Sequence, residues 1–528
     1  MKDVFHRLIM FVPLALSACA VGPDYVEPAA SAPESWTQGE DASSFSNAEP
    51  EVQWWTTFND ATLDSLIQQA VQSNLDLEAA TARVREARAQ RGVVTGEGNI
   101  TIDANGSYTR FRRSQESGGA SSGAPATGTG GSGSQGAGSS SLEGDSFQGS
   151  FDAAWELDVF GGIRRSVNAA DADIQAAQES RHDVLVTLLG DVARNYIELR
   201  FFQKRLDIAQ RNIGAQQASL EVAQARFDAG LTSELDVAQA KSLLATTTAV
   251  VPALEASRDQ AIHRLGILLG QWPGSLMQRL QPSAEAPSAP PIVPVGLPSD
   301  LLRQRPDIRQ AERQLAAATE RIGVATADLY PKFQLTGNIG VSASDFADLF
   351  QSSAGFWNVG PSITWPILEG GRIHANIQVA EARAQESLIA YQQSILGALQ
   401  EVEDNLVAYA KERIRLRSLD AAVTANRRAV DLANDRYTKG LVDFQSVLDT
   451  QRSLFLAEDD QAQSQRTVSI SIVAIYKALG GGWSAFTTVD GETGESWGVT
   501  GSDSSEPERT SSVQIRENSW TDSHLAIK

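Results

Sequence analysis

The sequence SFQGSFDAAWELDVF, residues 146–160, alternates apolar and polar side chains over nearly its whole length. Successive side chains of a strand point to opposite faces, so a period of two predicts a β-strand with one apolar and one polar face. In a soluble protein the apolar face packs on a core. In an outer-membrane barrel it meets lipid, while the polar face lines a lumen. The strand alone fits both arrangements, and the rest of the chain must decide.

Three further stretches have the same alternation, namely ITIDANGSYTR, FQLTGNIGVSAS and WNVGPSITWPI. Each is close to the ~9–11 residues that a tilted strand needs to cross a bilayer. Aromatic residues near the strand ends suit the belts found at membrane interfaces. We therefore predict four strands, at about residues 100–113, 146–159, 332–344 and 356–367.

The chain contains an internal repeat. ARFDAGLTSELDVAQ (225–239) and DRYTKGLVDFQSVLD (435–449) share an Arg-aromatic-x-x-Gly-Leu core at an offset of 210. On the N-terminal side of this core, each half has an apolar residue at every seventh position, and the two series are also 210 residues apart. Such a seven-residue spacing is typical of a coiled-coil seam. Near the start of each half the offset is 231, because the first half has an added Gly/Ser-rich loop within 114–145, which we expect to be flexible. The repeats are predicted at 62–270 and 299–480.

Each repeat predicts two strands followed by a long helical hairpin. Residues 163–229 contain no proline, and a helix of this length spans about 100 Å. The glycines Gly230 and Gly440 end the first helix of each hairpin, as expected for left-handed C-terminal caps. The predicted helices are 163–229, 232–270, 372–439 and 442–480.

The N-terminus resembles a bacterial lipoprotein signal, with basic residues, a short apolar run and LSAC ending in Cys19, the only cysteine of the chain. We expect residues 1–18 to be removed, Cys19 to carry a covalent lipid, and 19–61 to form a lipidated flank. The alternative is an ordinary signal peptide followed by a free thiol. An export signal of either kind means that the mature chain acts outside the cytoplasm.

The formal net charge of −21 argues against nucleic-acid binding, which needs a basic surface. Much of the charge lies in polar flanks: residues 20–60 hold eight acids and no Lys or Arg. The linker 271–298 is rich in proline. Residues 481–528 are expected to be an equatorial segment and a polar, disordered tail.

Four lipid-facing strands cannot close a barrel alone, and open sheet edges are not tolerated in hydrocarbon. A membrane location therefore requires several copies to share one sheet. The alternative is a soluble four-stranded sheet packed on the helices. In a shared barrel the polar face lines the lumen, which gives four candidate acidic lumen residues: Asp103, Asp152, Glu156 and Asp158.

Five further motifs occur along the chain in this order: WWTTFNDATLDSLIQQAVQSNLDL, LPSDLLRQRPDIRQAE, ADLYPKFQLTGNIG, GGRIHANIQVAEA and YKALGGGW. They resemble the outer membrane factor family, in particular lipoprotein efflux channels of the NodT type, over roughly residues 19–483. The resemblance implies an α+β membrane protein, a homotrimer whose 12-stranded β-barrel continues as a periplasmic α-helical barrel. It also implies a passive outer-membrane duct that exports small molecules and docks on a periplasmic adaptor protein and an inner-membrane efflux pump.

The same resemblance implies roles for residues at the hairpin tips. The adaptor-contact tips are Gly230, Leu231, Gly440 and Leu441. The residues expected at the closed periplasmic aperture are Tyr437, Asp443 and Asp449. Val442 occupies the position at which some members have an arginine that holds the gate closed, so the resemblance does not carry that contact over to this chain.

Catalytic chemistry is not expected. The five histidines are scattered, without the spacing of a metal site, and no Gly-x-Ser-x-Gly motif is present. The sequence therefore predicts neither an enzyme nor a cofactor, apart from the lipid on Cys19. The remaining alternative function is a non-conducting, lipid-anchored coiled-coil scaffold of the cell envelope.

Overall fold

The computed structural model describes residues 20–29, 33–37, 45–46, 48, 50–112, 143–288, 290 and 292–486. Cys19, most of the Gly/Ser-rich loop and the tail from 487 onward lie outside the described residues. The predictions made for them remain predictions.

Four long strands form one antiparallel sheet in the order β2-β3-β5-β6. A separate two-residue parallel bridge joins β1, near the N-terminus, to β4, in the predicted linker 271–298. The strand bounds are β1 Phe45–Ser46, β2 Thr101–Arg112, β3 Glu143–Leu157, β4 Val293–Pro294, β5 Lys332–Ala343 and β6 Gly355–Thr364. Strands β2 and β6 are the two edges of the long sheet.

Three strand ends differ from the prediction by more than one residue, and the first is the start of β3 at Glu143, three residues before the predicted 146. Strand β3 ends at Leu157 and so excludes Asp158, which the predicted strand 146–159 includes. Strand β6 ends at Thr364 rather than at residue 367. Pro366 has no N–H to donate to a ladder, which accounts for the earlier end.

The described chain contains ten α-helices. Their bounds are α1 Ala61–Ser73, α2 Leu75–Glu97, α3 Gly162–Asp228, α4 Glu234–Thr248, α5 Val250–Leu268, α6 Met277–Leu280, α7 Pro298–Gln304, α8 Pro306–Ala327, α9 Arg372–Thr438 and α10 Phe444–Ala478. Helices α3 and α9 both have 67 residues, and their first and last residues are each separated by the repeat offset of 210. The two repeats thus fold into the same long helices.

The predicted helix 232–270 is interrupted at Ala249, between α4 and α5. Pro252 explains the interruption, because it has no N–H for the carbonyl of Thr248, four residues earlier. The predicted linker 271–298 also contains structure, namely the short helix α6 and the strand β4.

The helices pack side by side, with α9 against α10, α10 against α3, and α3 against α4 and α5. The largest apolar core includes Trp54, Tyr196 and Tyr476 and joins the segment before α1 to the long helices α3 and α10. A smaller core lies at the hairpin tips. Among the described helices, none is both long and apolar enough to cross a membrane.

Candidate functional site: sheet faces and hairpin tips

One face of the long sheet carries a continuous row of polar side chains. Asp103 lies opposite Asp152, and Asp152 lies opposite Asn338. Asn338 in turn lies opposite Asn358. Directly opposed residues project from the same face, so these side chains form one line across all four strands. The Asn105 amide donates a hydrogen bond to Asp152 at 2.5 Å, which stabilises that carboxylate.

A second polar row lies nearer the helices. Glu156 is opposite Gln334, which is opposite Ser362. Three of the four predicted lumen acids, Asp103, Asp152 and Glu156, therefore lie on one sheet face. Among the described residues, no three His, Cys, Asp or Glu side chains are grouped so that they could hold a metal ion.

Asp158 is placed differently, because it follows the strand. Its carboxylate accepts hydrogen bonds from the backbone N–H groups of Ile163 at 3.2 Å and Arg164 at 2.9 Å. These N–H groups belong to the first turn of α3, which has no partners for them within the helix. Asp158 is thus positioned by the start of α3 and not by strand β3.

The opposite face of the sheet is apolar and exposed in the single chain. Phe151 is 60% exposed and Trp357 is 74% exposed, although both are large apolar side chains. A continuous exposed apolar patch typically marks a membrane or partner surface. Other exposed members of this face are Ile102, Tyr108, Ile339 and Val359.

Two tryptophans mark the boundary between the sheet and the helices. The indole N–H of Trp155 donates to the carbonyl of Gly98 at 3.1 Å, and that of Trp365 donates to Leu329 at 3.0 Å. The two donor tryptophans are 210 residues apart, and the two acceptor residues are 231 residues apart. These are the two offsets of the internal repeat. Each indole keeps its ring on the apolar face while its polar atom is satisfied, as tryptophan does at membrane interfaces.

Both hairpin tips have the same turn. Gly230 and Gly440 have φ values of 70° and 72°, a left-handed conformation that favours glycine. The N–H groups of Leu231 and Leu441 each donate to the carbonyl five residues earlier, which completes a Schellman cap. The two leucine side chains are 68% and 69% exposed. The four predicted tip residues therefore present two exposed apolar side chains on rigid turns.

Tyr437 lies in the core at the tips and contacts both hairpins. Its ring packs on Phe444, with 5.0 Å between ring centroids. The Arg226 guanidinium lies 4.6 Å from the Tyr437 ring centroid and donates to the Tyr437 carbonyl at 2.8 Å. Burial raises the pKa of the Tyr437 hydroxyl. Arg226 belongs to the repeated Arg-aromatic pair, but its contact with Tyr437 could not be inferred from that pair.

The two aspartates predicted at the aperture have different surroundings. Asp443 is the N-terminal cap of α10, and hydrogen bonds from Ser446 lower the pKa of its carboxyl. Asp449 is half-exposed and forms a 3.4 Å ion pair with Arg452, while Gln445 donates to it at 2.9 Å. Asp443 thus has a structural role in the helix, and the charge of Asp449 is partly neutralised.

The chain is similar to known proteins along most of its length. A family model of outer membrane efflux proteins matches residues 66–271 and 297–481. The solvent efflux pump outer membrane protein SrpC of Pseudomonas putida is 34% identical over 486 residues, covering 91% of this chain and 99% of that protein. Nodulation protein T of Rhizobium leguminosarum bv. trifolii is 30% identical over 480 residues, covering 90% of this chain and 96% of that protein.

The fold comparison agrees. The solved structure of the outer-membrane channel OprN matches with a TM-score of 0.78 and 36% identity, covering 88% of this chain and 100% of that one. The resemblance inferred from the sequence motifs is confirmed by these matches. The chain belongs to the outer membrane efflux protein family.

Proposed function

We propose that three copies of this chain form a passive duct, the outer-membrane component of a tripartite efflux system. Its family membership makes the chain an efflux channel of the outer membrane and not an enzyme. Each copy contributes four strands to a twelve-stranded barrel, and the long helices continue the duct into the periplasm. The energy for export comes from the inner-membrane pump, and an adaptor joins the pump to the duct.

The observation that carries this proposal is the two-faced sheet with open edges. Its apolar face is exposed, and its edge strands β2 and β6 each have one side without a partner in the described chain. Both features are unfavourable for an isolated copy in lipid, because unpaired backbone groups are costly there. Pairing β2 of one copy with β6 of the next removes the edges and leaves the apolar face toward lipid.

The N-terminal segment supports the predicted lipid on Cys19. Arg165, at the start of α3, is buried and forms a 3.0 Å ion pair with Glu320 and a 2.7 Å ion pair with Asp24. It also donates to the carbonyl of Val21 at 3.2 Å. The residue after Cys19 therefore lies beside the junction of β3 and α3, which is where a lipid in the inner leaflet would hold it.

The hairpin tips supply the contact with the adaptor. Leu231 and Leu441 are exposed on caps of identical geometry, although an apolar contact with the helix often accompanies a Schellman cap. Two exposed leucines per copy provide six repeated anchor points in a trimer. The cargo consists of small molecules delivered by the pump, and the acidic polar face favours cations in the lumen.

Reconstitution of the purified lipoprotein in planar bilayers tests the proposal. We expect trimers on gels that dissociate only on heating, together with ion conductance. A protein that remains monomeric and non-conducting would instead support the lipid-anchored scaffold. In cells, Cys19→Ser should abolish labelling with radioactive palmitate, and persistent labelling would contradict acylation at Cys19.

A further inference from the structure

The internal repeat continues to the hairpin tips with little change. Hairpin 1 comprises α3 and α4, and hairpin 2 comprises α9 and α10. The first helix of each ends after 67 residues, and the second begins after Ser233 or Asp443, which are also 210 residues apart. Any contact made by one hairpin therefore has a defined counterpart position on the other.

Within one chain, hairpin 1 covers an aromatic residue of hairpin 2. Helix α3 packs beside α10, and Arg226 of α3 reaches across to Tyr437. There it adds positive charge at the C-terminal end of α9, where backbone carbonyls favour a cation. Phe444 also packs on this ring, and Tyr437 is only 6% exposed. We name this the Arg226–Tyr437 contact.

The residues that correspond to this contact in the other repeat do not form such a contact within the described chain. The counterpart of Tyr437 is Phe227, which is 38% exposed. Arg436 replaces Arg226, and Glu234 replaces Phe444. Within the part of the chain that the structure describes, the Arg436 and Glu234 side chains are exposed and have no hydrogen-bond or ion-pair partner.

We infer that Arg436 of one copy packs over Phe227 of the next copy and pairs with Glu234 there, repeating the Arg226–Tyr437 contact between copies. This inference rests on the proposed trimer. In a closed ring, α4 of one copy meets α9 of the next, just as α10 meets α3 within a copy. The Phe227 carbonyl at the end of α3 is the counterpart of the Tyr437 carbonyl, which accepts from both the Gly440 N–H and Arg226.

The two kinds of contact differ in one respect. Within a chain the Tyr437 ring packs on Phe444. In the proposed contact between copies, Phe227 takes the place of Tyr437 and Glu234 takes the place of Phe444. An exposed ion pair is screened by salt, while aromatic packing is not. The contact between copies should therefore depend more strongly on salt concentration than the Arg226–Tyr437 contact.

Cross-linking tests the geometry, and the repeat provides a matched control. The Phe227→Cys/Arg436→Cys double variant, treated with a short bismaleimide, should give covalent dimers and trimers on denaturing gels. The Arg226→Cys/Tyr437→Cys variant should give an internal cross-link and stay at monomer mass. Each single-cysteine variant measures the background cross-linking that arises from chance collisions or from Cys19.

Charge exchange tests the ion pair. Arg436→Glu should raise single-channel conductance, and adding Glu234→Arg should restore it to the wild-type level. Light scattering separates the possible failures. Trimers without the cross-link between copies, or without rescue by charge exchange, overturn this inference alone. Protein that is monomeric by light scattering overturns the proposed assembly and this contact with it.

Discussion

Asp103 and Asp152 lie directly opposite each other on neighbouring strands, so two carboxylates share one position on the polar face. Like charges in directly opposed positions destabilise a strand pair. The pair therefore costs stability, and in the proposed trimer three such pairs lie at one level of the lumen. We predict that cations are attracted to this level of the lumen.

Replacing both carboxylates by amides should reduce cation selectivity. The Asp103→Asn/Asp152→Asn variant should shift the cation-to-anion permeability ratio toward one, because the largest negative charge on the polar face is removed. Reversal potentials in a potassium chloride gradient across a planar bilayer measure this ratio. Asp348→Asn, which removes an acid from the loop between β5 and β6, is the matched control. An unchanged ratio in the double variant would show that this row does not face the ions.

Adjacent residues of β5 should respond oppositely to the same charge. Ile339→Lys places an ammonium group on the apolar face, where a lysine at the bilayer midplane costs roughly 2–4 kcal/mol. Asn338→Lys places it on the polar face and should be tolerated. Heat-modifiable trimers in the outer membrane are the measurement. Equal loss of trimer in both variants would refute the assignment of lipid and lumen faces.

The alternation of side chains was sufficient to predict which residues of the long strands share a face, because the period of two is set by the backbone. The position of Asp158 could not be predicted in this way, because the alternation pattern does not distinguish a carboxylate just after a strand from one within it. Its partners are the N–H groups of Ile163 and Arg164, on the next element. Arg226 was missed for a related reason: its contact with Tyr437 joins residues more than 200 positions apart.

The exposed tip leucines should affect partner binding and not folding. Leu231→Ser with Leu441→Ser removes two exposed apolar side chains but leaves the glycine caps intact. We expect normal trimer levels and reduced efflux, measured as drug accumulation and adaptor co-purification. Leu456→Ser, an exposed leucine on the side of α10, is the control. Undiminished adaptor recovery from the tip variant would exclude these leucines as anchors.

Asp449 and Arg452 should have opposite effects on cation block. They form a 3.4 Å ion pair on exposed side chains, so each reduces the field of the other. If Asp449 lines the aperture, Asp449→Ala weakens block by multivalent cations, whereas Arg452→Ala strengthens it. Single-channel recordings with cation added on the periplasmic side measure the block. The prediction fails if both changes have the same sign or neither has an effect.

Asp183, in α3, should limit stability at neutral pH. Burial raises the pKa of its carboxyl, and the nearby Asp307 and Glu401 raise it further, while Arg305 and Lys477 oppose the shift. A raised pKa in the folded state means that the folded protein binds this proton more tightly than the unfolded chain. The stabilising contribution of the protonated Asp183 is therefore fully present below the ordinary aspartate pKa and is lost as pH rises through the raised pKa.

Asp183→Asn keeps the side-chain shape and removes the ionisation, so it should raise the apparent Tm of the detergent-solubilised protein at pH 7. The difference from wild type should shrink as pH falls toward 4, because the wild-type carboxyl is then protonated as well. Asp431→Asn, at an exposed position of α9, controls for the loss of one negative charge. A Tm difference that is constant with pH would mean that packing, and not the ionisation of Asp183, causes the change.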